Sequence, residues 1–513
     1  MSNGSNATPP QSELLAALRD PAIYPWPVDA VEVIETHIST VFLAGDHVLK
    51  IKKPLDLGFL DFSTLERRGW FCEEEVRLNS RLAPDWYLRP VPISGTVAAP
   101  EIEGEGEPLE WGVLMRRFPQ SALADARLDR GELPVNVMDG LARVVAEFHA
   151  EIPAAGPDTD YGTVDSVLAP MLQNFEQLRE LDAAGADPAV LDALEAWVQT
   201  QGEELGELID ARFQGGFVRE CHGDLHLGNI AWHEDEVIVF DAIEFEPYLR
   251  WIDVANEVAF VVMDLDHRGA YDHRHRFLNA YLEHTGDYGM MRLLRFYAAY
   301  RAMVRAKING FMASQAEEGS EARQAARQQV TAYMALAQGY TQLRRPELVI
   351  THGLSGSGKT QVAGELVAAE GHLRLRSDVE RKRLFGVAPE ERRDDEPEAG
   401  LYTPEATERT YSHLEGLARE MLEAGWSVVV DAAFLDPRHR EAFRALAEEL
   451  ECGFRILDVR AAPDVLRERV RARARAGADA SDATVDVLEH QLADYEPLSG
   501  DEAALAQVIR TDD

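Results

Sequence analysis

The alternation of apolar and polar positions in the first quarter of the chain predicts strands and a helix. Two apolar-rich runs, 40–43 and 48–51, flank the tetrapeptide Ala-Gly-Asp-His, which is typical of a β-hairpin. Residues 64–82 carry apolar side chains at helical spacing, which predicts an α-helix. The run Trp-Gly-Val-Leu-Met at 111–115 indicates a buried strand.

Helical spacing dominates residues 122–343, interrupted by strand-like runs near His222 and at 237–240. The pattern changes after Arg-Arg-Pro at 344–346. Beyond that point apolar strands alternate with helices, which predicts a parallel, doubly wound sheet. Its predicted strands are 348–350, 373–375, 427–430 and 454–457. The predicted fold is therefore an α+β segment followed by an α/β domain.

Composition narrows the possible functions. A length of 513 residues suits about two to four domains. The formal charge of −39 and the pI near 4.7 argue against nucleic acid or anionic membranes as partners. Three cysteines show no paired spacing, which argues against a disulfide framework or a zinc site. We expect a disordered tail over residues 1–20, and the absence of a signal-like or membrane-spanning run predicts a cytoplasmic protein.

The first candidate site is the octapeptide His-Gly-Asp-Leu-His-Leu-Gly-Asn at 222–229. Phosphoryl transfer needs a carboxylate that orients the attacking hydroxyl and oxygen ligands that hold Mg²⁺. Asp224 supplies the carboxylate, and Asn229 follows at the spacing that such a catalytic loop requires. Asp241 comes just after the apolar run 237–240, where it provides a second metal ligand.

This octapeptide, with its trailing strand and Asp241, resembles the aminoglycoside phosphotransferase and choline kinase superfamily. Residues 240–245, Arg250, Asp253 and the tripeptide 263–265 are more narrowly similar to an uncharacterised bacterial branch. Members of that branch are often fused to a P-loop kinase domain. The resemblance implies a bilobal, protein-kinase-like fold with an N-lobe at 21–120 and a helical C-lobe at 121–345.

The resemblance also implies roles upstream of the catalytic loop. Lys50 matches the lysine that binds the α- and β-phosphates, and Glu75 matches its ion-pair partner, with Glu74 as a close alternative. Residues 111–118, with Met115 among them, match the hinge that faces adenine. The glycine-rich repeat of the nucleotide loop has no counterpart in this chain.

The second candidate site is the complete phosphate-loop pattern Gly-Leu-Ser-Gly-Ser-Gly-Lys-Thr at 353–360. It follows a predicted strand and opens a helix, so its backbone N–H groups can surround a β-phosphate. Lys359 bridges the β- and γ-phosphates, and the Thr360 hydroxyl is a Mg²⁺ ligand. The other loop residues assigned to nucleotide binding are Gly353, Ser355, Gly356, Ser357 and Gly358.

The remainder of residues 346–513 resembles the small P-loop kinases, including polynucleotide 5′-hydroxyl kinases, gluconate kinases and zeta-toxin kinases. The similarity implies that Asp378 orients the acceptor hydroxyl, while Arg381 binds the acceptor or the γ-phosphate. Asp431, at the end of a predicted strand, is then a metal ligand, or else a plain strand-end carboxylate. Arg469 and Arg473 lie one helical turn apart and either close on the triphosphate or form a solvated face.

Three functions remain open from the sequence. The first is a bifunctional kinase that uses ATP or GTP with Mg²⁺ to phosphorylate hydroxyl groups of small molecules. The second is a regulatory protein, in which one domain binds nucleotide without turnover and controls the other. The third is a 5′-hydroxyl polynucleotide kinase, for which the four arginines Arg374, Arg376, Arg381 and Arg383 provide a local basic surface.

Overall fold

The chain forms two compact units in a computed structural model that describes residues 11–58, 60–387, 401, 403–476, 484–493, 495–498 and 500–512. The first unit comprises Met1–Gly140, Glu147–Pro170 and Gly202–Val261, and the second comprises Leu141–Ala146, Met171–Gln201 and Val262–Asp513. The last helices before residue 346 therefore group with the segment that follows them. The predicted division at 345/346 stays a prediction.

Helices make up most of the described chain. In chain order they are Gln11–Ala17 (α1), Leu65–Asn79 (α2), Ala124–Asp129 (α3), Val137–Glu151 (α4), Val164–Glu180 (α5), Pro188–Glu204 (α6), Gly206–Gln214 (α7), Pro247–Arg250 (α8), Val254–His267 (α9), Tyr271–Thr285 (α10), Met291–Gln315 (α11), Glu321–Tyr340 (α12), Lys359–Glu370 (α13), Ser377–Leu384 (α14), Pro404–Glu423 (α15), Pro437–Glu449 (α16), Pro463–Ala476 (α17), Val485–Ala493 (α18) and Gly500–Ala504 (α19). Across the described ranges, no helix combines the length and the apolar character needed to cross a membrane.

Within the described residues the strands form four sheets. In chain order they are Val31–Glu35 (β1), Ser39–Ala44 (β2), His47–Lys52 (β3), Tyr87–Thr96 (β4), Ala99–Ile102 (β5), Glu110–Arg116 (β6), Val218–Glu220 (β7), Ile230–His233 (β8), Glu236–Val239 (β9), Trp251–Asp253 (β10), Glu347–His352 (β11), Leu373–Arg376 (β12), Val428–Asp431 (β13), Gly453–Arg460 (β14) and Ala506–Arg510 (β15). Two of the sheets are the small antiparallel pairs β7–β10 and β8–β9.

The first unit contains an antiparallel six-stranded sheet in the order β1-β2-β3-β6-β4-β5. The predicted hairpin is β2–β3, in which Lys50 lies opposite Val41. The predicted helix is α2, whose N-terminus is capped by the Thr64 hydroxyl, which accepts from the Arg67 N–H at 3.3 Å. These two elements carry the upstream half of the first candidate site.

The prediction of a disordered tail over residues 1–20 is wrong for Gln11–Ala17, which form helix α1. Leu14 and Leu18 are buried in a core cluster with Phe42 and Leu49 of the sheet. Burying such side chains favours the ordered helix by about 1.5–3 kcal/mol each. The apolar run Leu-Leu-Ala-Ala-Leu at 14–18 was an available signal for this helix, and residues 1–10 lie outside the described part.

The second unit contains a fully parallel five-stranded sheet in the order β12-β13-β11-β14-β15. Its core is formed by Val349, Val429 and Leu457, with helix α13 packed on one face. The four predicted strands are confirmed, whereas β15 is an additional strand that the sequence did not reveal. Strand β11 lies at the centre and leads directly into the 353–360 loop.

Helix α10 of the second unit covers the outer edge of β12. The Asn279 amide donates to the His372 carbonyl at 3.2 Å and accepts from the Arg374 N–H at 2.7 Å. The Glu283 carboxylate binds Arg374 at 3.0 Å and Arg376 at 2.6 Å. The backbone of the edge strand is therefore hydrogen-bonded by a helix that precedes the sheet in the chain.

Candidate functional site

The upstream half of the first site is a buried cluster of charges around Glu75. Lys50 Nζ forms an ion pair with Glu75 Oε1 at 2.9 Å and a second one with Asp241. Burial by itself raises the pKa of Glu75, but the positive charges of Lys50 and Lys52 outweigh it and lower that pKa to about 2. Glu74, the alternative partner, instead binds Arg77 and Arg250.

The 222–229 loop brings Asp224 and Asn229 into contact, as their spacing predicts. Asn229 Nδ2 donates to Asp224 Oδ2 at 3.0 Å and to its carbonyl at 2.9 Å. This leaves the Asn229 amide oxygen for a cation. About a third of the Asp224 side chain and nearly half of the Asp241 side chain are exposed, so both can meet a ligand.

Glu257 on α9 holds the backbone of this loop in place. Its carboxylate accepts from the N–H groups of His222 at 3.2 Å and Gly223 at 2.7 Å, and it also bonds His149 at 2.9 Å. Burial raises the pKa of Glu257, but these hydrogen bonds and the charge of His149 dominate and lower it to about 2. Glu257 could not be singled out from the sequence alone, because it lies inside an apolar helix pattern.

Met115 lies on β6, directly opposite Val48 of β3. Its side chain is buried in a core cluster that also contains Val48 and Ile238. Met115 is thus brought to the strand next to Lys50, and its contact with adenine stays a prediction.

Two charged residues of this cluster were missed by the sequence analysis. Lys52 hydrogen-bonds Glu75 Oε2 at 2.5 Å and forms an ion pair with Glu244. The Lys-x-Lys spacing on a predicted strand was an available signal, because residues two apart on a strand share one face. Glu244 offered no such signal, since its partner is 192 positions away.

In the second unit the 353–360 loop joins β11 to α13. Gly353 has a φ of +150°, and a Cβ atom at this position would lie 2.4 Å from the Val459 carbonyl oxygen. Lys359 Nζ donates to the carbonyls of Gly353 and Leu354 at 3.0 Å each, which holds the ammonium across the loop. Gly356, Ser357 and Gly358 complete the turn into the helix.

Carboxylates surround the loop lysine. Burial lowers the pKa of Lys359, and the positive charge of Arg473 lowers it further. The negative charges of Asp431 and Asp378 act in the opposite direction and raise this pKa. Burial raises the pKa of Asp431, which also accepts a hydrogen bond from Thr360. The loop lysine, the two predicted metal ligands and the predicted acceptor-orienting carboxylate therefore form one group.

Two of the predicted arginines are engaged by backbone and hydroxyl oxygens. Arg381 donates to the Leu401 carbonyl at 2.8 Å and to the Thr407 hydroxyl at 3.3 Å. Arg469 donates to the Thr511 hydroxyl at 2.9 Å, to the Thr511 carbonyl and to the Gly356 carbonyl at 3.4 Å. Arg469 thus reaches the phosphate loop from its carbonyl side.

Gln491 on α18 is a further residue at the loop that the sequence did not single out. Its side-chain oxygen accepts from the Ser355 N–H at 2.9 Å. The helix is held there by Leu488 and Leu492, which belong to a cluster that includes Leu354 of the loop.

Comparison with known proteins gives the family. A family model described as "Phosphotransferase enzyme family" matches residues 72–296, and one described as "AAA domain" matches residues 348–498. The chain is 30% identical over 469 residues to the uncharacterized proteins Rv2004c of Mycobacterium tuberculosis and Mb2027c of Mycobacterium bovis. The match covers 91% of this chain and 91% of each relative. The chain belongs to the same family as these two mycobacterial proteins.

The predicted pair of domains is confirmed. A phosphotransferase domain with a kinase-like fold precedes a P-loop kinase-like domain with a parallel sheet. Two solved structures are also similar to parts of this chain. An ethanolamine kinase of Plasmodium vivax is 13% identical and covers 60% of this chain and 82% of its own, with a TM-score of 0.37. A gluconokinase of Sinorhizobium meliloti is 22% identical and covers 33% and 83%, with a TM-score of 0.23.

The donor sets in both domains fit Mg²⁺. In the phosphotransferase domain these are the Asn229 amide oxygen and the Asp241 carboxylate, and in the P-loop domain they are the Thr360 hydroxyl and the Asp431 carboxylate. Hard oxygen ligands of this kind, few in number, suit an ion that keeps several waters and binds substrate phosphates.

Proposed function

We propose that this protein is a bifunctional ATP-dependent phosphotransferase, in which each domain transfers the γ-phosphate to a hydroxyl group of a small molecule. The observation that carries the proposal is the completeness of both sites. Lys50 contacts Glu75 and Asp241 in one domain. In the other, Lys359 lies among Asp431 and Asp378.

In the phosphotransferase domain, Asp224 accepts a hydrogen bond from the acceptor hydroxyl and takes its proton as the oxygen attacks the γ-phosphorus. The bond from the γ-phosphorus to the bridging oxygen breaks, and ADP leaves. Lys50, held by Glu75, binds the phosphates that remain on ADP. Mg²⁺ at Asn229 and Asp241 would neutralise phosphate charge.

In the P-loop domain, Asp378 has the corresponding acceptor-orienting role, and Lys359 binds the β- and γ-phosphates. Thr360 and Asp431 would hold Mg²⁺. Arg473, whose charge acts on Lys359, is placed to stabilise the charge that develops on the transferred phosphoryl group.

The arginines that could form a basic surface for a polynucleotide are paired with glutamates, which counts against a polynucleotide acceptor. Arg374 and Arg376 both bind Glu283, and Arg383 binds Glu380. Arginines neutralised in this way contribute little to the counterion release that drives nucleic-acid binding. We expect 5′-hydroxyl oligonucleotides to show no binding by fluorescence anisotropy, even at low salt.

Two variants, Asp224→Asn and Lys359→Met, distinguish the activities of the two domains. Each is assayed for ATP consumption over a panel of metabolites that carry hydroxyl groups. Each variant should lose turnover with its own set of acceptors by about 10²-fold or more, because it lacks the acceptor-orienting or the phosphate-binding group. Lys307→Met on α11 and Asp192→Asn on α6 are matched controls outside both sites. Turnover that survives Asp224→Asn with every acceptor would leave the first domain a regulatory nucleotide-binding module.

A further inference from the structure

Lys52 is buried too deeply to bind a nucleotide, although it shares a strand face with Lys50. Its side chain is 1% exposed, against 12% for Lys50. Its Nζ is held between Glu75 and Glu244, which are themselves almost fully buried. Burying three charged groups is costly, and such a cluster persists only when its members are paired with one another.

The Glu244 end of this cluster belongs to the segment that carries Asp241. Asp241 has a φ of +67°, an unfavourable conformation for a residue with a side chain, so its surroundings must hold it in place. The Asp241 N–H donates to the Tyr87 hydroxyl at 3.1 Å, and the Ala242 N–H donates to Asn79 Oδ1 at 2.9 Å. Glu244 anchors the far end of the same segment.

The two lysines divide the available carboxylates between them. Each oxygen of Glu75 binds one lysine, and each lysine binds one further carboxylate, Asp241 for Lys50 and Glu244 for Lys52. If Lys52 were neutral, Glu75 and Glu244 would be buried anions whose nearest cation is Lys50. Their attraction would draw Lys50 away from Asp241.

We propose that Lys52 and Glu244 are a positioning pair that keeps Lys50 on Asp241 and so holds Asp241 ready for Mg²⁺ and nucleotide. The inference rests on the proposed function of the phosphotransferase domain. Lys52 touches neither substrate nor metal, and its effect on ATP binding passes through Lys50 and Asp241.

The test measures how binding of a fluorescent ATP analogue depends on Mg²⁺, in full-length protein with Lys359→Met to silence the P-loop site. Lys52→Met should raise the Mg²⁺ concentration for half-maximal binding about ten-fold. Lys52→Met combined with Glu244→Gln should recover most of this shift, because Glu75, which Lys50 already binds, is then the one carboxylate of the Lys52 cluster that still carries a charge.

The matched control is Glu110→Gln, which breaks another buried ion pair of the same unit, between Glu110 on β6 and Arg68 on α2 at 2.8 Å. It should lower the thermal denaturation temperature and leave the Mg²⁺ dependence within two-fold of the parent. If Lys52→Met does the same, the pair has only a structural role and the proposal is overturned.

Should Lys52→Met fail to fold, Glu244→Gln alone decides the matter, because it keeps the shape of the side chain. A shift of at least three-fold to higher Mg²⁺ concentration supports the pair, because Lys52 then competes with Lys50 for Glu75. An unchanged Mg²⁺ dependence overturns it. Failure of the proposed function has a separate signature. In that case the parent binds the analogue but shows no turnover that depends on Asp224, or it binds no analogue at all, which overturns both proposals.

Discussion

The carboxylate of Glu257 organises the phosphotransferase site through contacts with both backbone and side-chain groups. Glu257 receives two N–H groups of the catalytic loop and one imidazole, so one anion fixes the path of the chain on which Asp224 lies. Hydrogen bonds to a charged acceptor are about twice as strong as neutral ones. The position of Asp224 therefore depends on Glu257 remaining ionised.

This dependence predicts a specific acid sensitivity. The pKa of Glu257 in the folded protein, about 2, lies below its ordinary value of 4.5, so its stabilisation is complete above pH 4.5 and is lost as the pH falls towards 2. Between pH 6 and pH 3 the wild type should lose about 2 kcal/mol through this group. Glu257→Gln should be less stable at pH 6 but lack this component.

Urea unfolding followed by tryptophan fluorescence measures the difference, because most of the tryptophans lie in the first unit. Glu132→Gln, at an exposed position of the same unit, is the control and should keep the full pH dependence. Equal pH dependence in wild type and Glu257→Gln would show that the carboxylate does not link folding to protonation.

A second prediction at the scale of one residue concerns Gly353 in the phosphate loop. Gly353→Ala would place a Cβ against the Val459 carbonyl, a backbone atom that has no room to move, so the loop must distort. We expect loss of nucleotide binding in the P-loop domain while the phosphotransferase domain keeps its own. Gly364→Ala on α13 is the control, since its Cβ would meet only the end of Arg374 at 3.7 Å. Calorimetric titration with an ATP analogue distinguishes the two variants.

Elements with a strong local pattern were predictable from the sequence, and elements that depend on distant partners were not. The hairpin β2–β3, helix α2 and the central strands of the parallel sheet all have clear apolar patterns. Strand β15 is half-exposed and weakly apolar, so its parallel pairing with β14 left no periodic signal.

The candidate sites follow the same division. Asp224, Asn229 and the 353–360 loop are motifs whose members lie close together in the chain, and they could be found by spacing alone. Glu244 acquires its role from a lysine far along the sequence, and Gln491 from a loop more than a hundred residues before it. Burial and tertiary contact define these residues, and neither is visible without the fold.

The contact between α10 and β12 predicts a local effect on one strand. Asn279→Ala removes a hydrogen-bond donor and an acceptor from the strand edge, which should cost about 1–3 kcal/mol. Hydrogen exchange measured by mass spectrometry in the full-length protein should speed up in peptides that cover Leu373–Arg376. Asn309→Ala removes an amide that donates to a carbonyl of its own helix, and it should leave that strand unchanged. Unaltered exchange in Asn279→Ala would mean that α10 does not hold the edge.

On the scale of the whole molecule, the P-loop sheet and the helices before it behave as one body. The Trp426 indole donates to the Met291 carbonyl at 2.9 Å, Arg295 donates to the Gly425 carbonyl at 2.8 Å, and Tyr288 binds Glu380 at 3.1 Å. These contacts join α11 and its connection from α10 to the P-loop domain independently of the peptide link at 341–346.

Cutting that link should therefore not release the P-loop domain. With a protease site introduced at 341–346, the two fragments should elute together in size-exclusion chromatography after complete cleavage. Adding Asn279→Ala and Glu283→Ala should weaken the association, whereas Asn309→Ala should not. Separation of the wild-type fragments after cleavage would show that the covalent link, not the packing, keeps them together.

The covered edge of β12 also limits how this gene can be recombined. A parallel sheet with an uncovered edge strand presents unpaired N–H and C=O groups, which invite pairing with other chains. Joining this P-loop domain to a foreign partner at residue 346 would leave such an edge exposed and favour aggregation. A segment that is to be fused to another protein therefore has to begin upstream of α10, well before the 353–360 loop and the strand that leads into it.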